Sequence, residues 1–251
     1  MTIRERIRLR PRSRTVLVAL ALTLAGSAAG LLGAMLPGSF GLVTATTPDA
    51  IYVVSSRGVQ FGFGAFAVGY VAYTGEWSRY ARFRRPGPRD AVAVVGAFLA
   101  VVAVGTATDA LIATLGLSSE PVTGTVDHDF VWHARPALWP LVLVAWVAFA
   151  APAEELFYRG LVQTRLRASF SAGTVVVLSG GCFALSHALF SVLSGAGGAA
   201  VATTFVELFG AGLVFGGLYE LSDNLVPVAA FHALTWLEPI HAIQRALVAV
   251  P

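Results

Sequence analysis

The feature that most constrains this chain is a series of apolar runs, each long enough to cross a bilayer. About twenty consecutive apolar residues suffice for a transmembrane helix. Thr15 to Leu36 is a first such run, and others cover roughly 50–74, 91–115, 138–161, 174–194 and 199–219, with a last beginning at Leu225. Of the 251 residues, 56% are hydrophobic and only 12% are charged. A soluble domain carries about 25% charge. The runs are continuous rather than alternating, which excludes a transmembrane β-barrel. The sequence therefore predicts an all-α, polytopic transmembrane bundle of seven to eight membrane helices. Residues 1–14 form a basic arm, 15–137 the N-terminal helices and loops, and 138–251 a C-terminal transmembrane core.

The net charge of +3 matters less than where it falls. All seventeen basic residues are arginine, a usage that suggests a GC-rich prokaryotic genome. Six of them lie in residues 1–14, and Arg79, Arg82, Arg84, Arg85 and Arg89 follow the second run. Positive loops stay cytoplasmic, so both regions are expected on the cytoplasmic side of a multi-pass protein of the cell membrane. The arginine arm then reads as a topology signal rather than as a nucleic-acid contact. Fifteen to thirty residues with a short apolar stretch would suggest a cleaved leader, but Thr15–Leu36 is long enough to span and is expected to remain. The loop around His128 and His133 should face outside, with both histidines solvated. The single cysteine, Cys182, excludes an intramolecular disulfide and reads as a packing residue.

Within the fourth run stands Ala153-Glu154-Glu155-Leu156-Phe157-Tyr158-Arg159. An ionisable residue inside a bilayer helix costs roughly 2.5–3.5 kcal/mol on insertion scales, so it marks function by default. Glu155 and Arg159 are four residues apart, share a face and can pair. Glu154 is rotated by about 100° and is left for chemistry. Polar residues recur in the following runs: His187, Glu207 and His232. Phe183 precedes His187 by four residues, so one ring can pack on the other. Carboxylate and imidazole together can activate water in two ways. They can bind Zn²⁺, whose water becomes a nucleophile, or the carboxylate can act as general base without a cofactor. Arg57 and Gln60 lie near the start of the second run.

These residues resemble the CAAX protease and bacteriocin-processing (CPBP) family of intramembrane proteases. Its pattern is Glu-Glu-xxx-Arg, Phe-xxx-His and His-xxx-Asn in successive helices. Here Glu154-Glu155-Leu-Phe-Tyr-Arg159 resembles the first, Phe183-Ala-Leu-Ser-His187 the second, and His232 begins the third. A Gly-rich helix ending in Tyr219, then Asn224 and Leu225, is similar to the family's intervening segment. The resemblance covers about residues 138–237. It implies that Glu154 and His187 activate water and that His232 helps to hold the oxyanion. In the metal-dependent version, Glu154, His187 and His232 would be the ligands. The family's last asparagine falls on Trp236, and an indole offers one donor and no acceptor. Trp236, Thr235 and Asn224 are the residues expected to supply the missing donor.

The resulting expectation is an intramembrane endopeptidase acting on a membrane-anchored peptide or protein, with no nucleic-acid partner. A catalytically silent relative that binds membrane peptides is the alternative, favoured by Trp236. A small proton-coupled transporter is a third reading, opposed by the lack of two matched halves.

Overall fold

The computed structural model describes residues 11–39, 47–117 and 134–236. The expectations for Arg4 to Arg10, for His128 and His133 and for Pro239 lie outside these residues. Among the described residues there is helix and no strand. The helices are α1 (Pro11–Ser39), α2 (Asp49–Ser55), α3 (Gly58–Thr74), α4 (Trp77–Tyr80), α5 (Pro88–Thr114), α6 (Pro136–Arg167), α7 (Ala172–Leu193), α8 (Gly198–Ser222) and α9 (Leu225–Thr235). Five of them, α1, α5, α6, α7 and α8, are long and apolar enough to cross a membrane. The all-α bundle expected from the apolar runs is what the chain forms.

The second run departs from expectation. It is not one span but α2 and α3, separated at Ser56 and Arg57. At the break the Arg57 guanidinium lies over two indole rings, those of Trp146 and Trp236. The fourth helix also runs further than expected, through Arg167. Its backbone widens to π geometry at Leu143–Ala150 and again at Leu156–Gln163, with Glu154 and Glu155 in the α-helical turn between. Such wide turns are rare and concentrate at functional sites.

Without a hydrophobic force between helices in lipid, close backbone packing has to hold them together. Antiparallel α1 and α3 meet through Gly33, Gly58 and Gly62, where an added Cβ would overlap the facing backbone. Across α7 and α8, a Cβ on Gly212 would lie 2.8 Å from the Gly180 Cα. Between these pairs the second half of α6 is enclosed: every residue from Ala153 to Thr164 is buried. Its aromatic residues join a layer in which Phe63 stacks on Phe157 at 4.9 Å and Tyr158 meets Phe183 edge-on at 4.9 Å.

Arginines of three segments gather at one end of the bundle. Thr15 and Ser169 share a hydrogen bond of 2.7 Å, Arg165 donates to the Tyr80 hydroxyl at 3.3 Å, and Arg167 pairs with Glu220 at 3.1 Å. Arg82 pairs with Asp223, and Arg84 donates to the Ser222 carbonyl. The start of α1 and the Arg79–Arg89 segment thus lie at the same end.

Candidate active site

Glu155 lies at the centre of a buried triad. Its Oε1 accepts from Arg159 Nη1 at 3.1 Å and from His232 Nδ1 at 2.6 Å. All three side chains are at most 4% exposed. The Glu155–Arg159 contact follows from the four-residue spacing. The bond to His232 could not be read from sequence, because it depends on α9 crossing α6. With Nδ1 donating to a carboxylate, His232 has its ring fixed and its Nε2 left for other work, the usual way of orienting a functional imidazole. Phe215 stacks on that ring at 4.5 Å.

Glu154 faces the opposite way. Its Oε1 lies 3.4 Å from His187 Nε2, and its Oε2 accepts from Gln60 Nε2 at 3.3 Å. His187 Nδ1 lies 2.8 Å from the Phe183 carbonyl. A carbonyl can only accept, so Nδ1 carries the hydrogen. The nitrogen turned to Glu154 is then a bare lone pair in the neutral ring. Facing a carboxylate, it makes a favourable contact only when one proton resides on one of the two groups. Glu154 is 1% exposed, while the His187 side chain is 25% exposed and gives the pair its outlet.

In depth, the Glu154 pair lies toward the arginine-poor end. Gln60 is the third residue of α3, and His187 is six residues from the end of α7.

Trp236 packs edge-on against His232, with ring centroids 4.8 Å apart. The other two residues expected to replace the motif asparagine are already committed. Asn224 caps α9 by accepting from Val226 N–H at 3.1 Å, and it exchanges hydrogen bonds with both backbone groups of Arg84. Thr235 donates its hydroxyl to the His232 carbonyl at 2.7 Å. Glu207 stays apart, on α8, within electrostatic reach of Asp109 of α5. Sequence reading gave no role to Gln60 or Arg57. Their signal was polarity at the start of an apolar run.

Among the described residues, no three His, Cys, Asp or Glu side chains are grouped so as to hold a metal ion. His187 goes with Glu154 and His232 with Glu155, so the expected zinc set divides into two pairs. The donors present do not fit a tetrahedral three-ligand site. Among the described residues, the buried side-chain atoms without a hydrogen bond are Arg57 Nε, Gln60 Oε1, Glu154 Oε1, Glu155 Oε2, Tyr158 Oη and Arg159 Nε. All belong to this one neighbourhood. Native proteins leave few such groups, and each requires a reason.

A bundle of membrane-length helices around buried carboxylate–histidine pairs defines a polytopic membrane protein. Residues 136–237 match the model of the family described as type II CAAX prenyl endopeptidase Rce1-like. The match falls on the stretch over which the sequence resembles CPBP proteases. No curated protein and no solved structure matches the chain.

Proposed function

We propose that the chain is an intramembrane endopeptidase that uses a glutamate-activated water. Glu154 Oε1 takes a proton from water as the oxygen attacks the scissile carbonyl. The proton the pair already holds passes from His187 to the amine as the C–N bond breaks, and the proton taken from water replaces it in the pair. Glu155 and Arg159 fix His232, whose Nε2, when it too carries a proton, donates to the carbonyl oxygen. The observation that carries this reading is the Glu154–His187 contact: a buried carboxylate against a partly exposed imidazole whose tautomer is set by Phe183. The substrate class is a membrane-anchored peptide or protein, and the cleavage needs no bound metal. The arginine-rich end, with the start of α1, would face the cytoplasm.

The test is cleavage of membrane-anchored peptides by the purified protein in proteoliposomes. Turnover that persists in a chelator and disappears in Glu154→Gln is the expected result. Chelator-sensitive turnover restored by Zn²⁺ would overturn the metal-free mechanism. A second reading, a silent binder of membrane peptides, rests on Trp236 filling the place of the motif asparagine. Retained peptide binding with no turnover would favour it.

A further inference from the structure

Arg57 is a cation beside the site to which the reading above gives no task. It stands between α2 and α3, and its side chain turns inward instead of reaching along the helix to the membrane surface, as long cationic side chains usually do. The guanidinium carbon lies 4.2 Å from the Trp146 ring centroid and 5.3 Å from that of Trp236. Trp146 is itself pinned by its indole N–H, which donates to the Val53 carbonyl at 3.1 Å. Trp236 rests on the other side against His232, at 4.8 Å. Arg57 Nε is buried and without a hydrogen-bond partner. The Glu154 carboxylate is close enough to act on the guanidinium electrostatically.

Stacking on aromatic faces occupies the face of a guanidinium and leaves its edge. That edge carries five N–H donors in a rigid fork, suited to oxygen anions. A charge fixed in this way reorganises little when negative charge develops nearby, which is what transition-state stabilisation requires. The site also contains a carboxylate that must expel negative charge onto a substrate oxygen. We infer that Arg57, held against Trp146 and Trp236, is a second donor, beside His232, that stabilises the oxyanion of the attacked carbonyl. Trp236 is then a positioning residue: it seats the guanidinium where a carboxamide would otherwise donate directly.

The inference rests on the peptidase reading, so its test has a binding arm that needs no turnover. The probes are an aliphatic phosphinate pseudopeptide, which carries a tetrahedral anion, and the same peptide with an ordinary amide. Wild type should bind the phosphinate at least tenfold more tightly than the amide, and Arg57→Gln should lose that preference. In the cleavage arm, Arg57→Gln should lower kcat by about 10²–10³ with KM little changed, the usual cost of one oxyanion donor. Free guanidinium should restore part of the rate. Arg57→Lys, which keeps the charge, should lose less, and it controls for a folding defect in Arg57→Gln. Trp236→Asn should partly rescue kcat when combined with Arg57→Gln. Normal turnover and unchanged phosphinate preference in Arg57→Gln overturn the inference while leaving the peptidase reading intact. An Arg57-dependent phosphinate preference without any turnover overturns the peptidase reading and keeps the anion site. No preference in wild type overturns the inference.

Discussion

Phe183 decides the chemistry of His187 through its backbone. Its carbonyl, 2.8 Å from Nδ1, holds the imidazole hydrogen on the far side of the ring and turns Nε2 to Glu154. The pair works with one shared proton and fails with two or none. The dependence of kcat/KM on pH should therefore be bell-shaped. A profile with a single limb would mean that one of the two residues is a spectator.

Glu154→Gln keeps the shape of the side chain and removes its basicity. Loss of a general base costs about 10²–10⁴ in rate. The variant should purify and unfold like wild type, with peptide cleavage reduced by that factor. Full activity would refute the assignment of Glu154 as base.

Glu155→Gln should behave in the opposite way. It strands Arg159 and releases His232 in a buried setting, and breaking such a pair costs about 3–5 kcal/mol. Lower folded yield and a lower midpoint in thermal unfolding in detergent are the expected results. Wild-type stability would show that the triad holds nothing together.

The close contact of α1 with α3 can be probed at Gly33. A side chain there meets the Gly58 backbone, which has no room to yield. Gly33→Val should destabilise by roughly 1–3 kcal/mol, as overpacking does. Gly96, with open space around its position, is the control, and Gly96→Ala should be neutral or slightly stabilising. Equal loss in both variants would mean that helix contact is not the cause.

Topology can be read by labelling cysteines placed at Ser13 and Arg85 in a Cys182→Ala background. Cys182 is buried, so its loss should be tolerated. Both sites should react from the same side of the membrane. Labelling from opposite sides would break the end-clustering of arginines described above.

Much of this was legible in the sequence. Charges embedded in apolar runs stand out because they are costly there, which is why Glu154, Glu155, Arg159, His187 and His232 could be singled out without a structure. The four-residue spacing also gave the Glu155–Arg159 contact. The Glu154–His187 pairing was implied by the family resemblance, but the Glu155–His232 bond was not legible, because it depends on how α6 and α9 cross. The division of the three expected zinc ligands into two pairs follows from the same crossings. Asn224 and Thr235 looked available because a sequence does not show that their donors are already used by the backbone. The break at Arg57 was hidden for another reason: hydropathy averages over a window and cannot register one inward-turned cation.

The hydrogen bond from Gln60 to Glu154 has a practical consequence. The segment that matches the family begins at residue 136, yet the carboxylate at its heart is held from α3, seventy-odd positions upstream. The recognisable stretch is therefore not a portable module. Grafted onto foreign helices, or expressed as an excised fragment, it would keep every motif residue and lose part of the apparatus that aims them. Divergence in the unrecognised half is then a way to retune the reaction while the signature stays untouched, and surveys that compare only the signature would miss it.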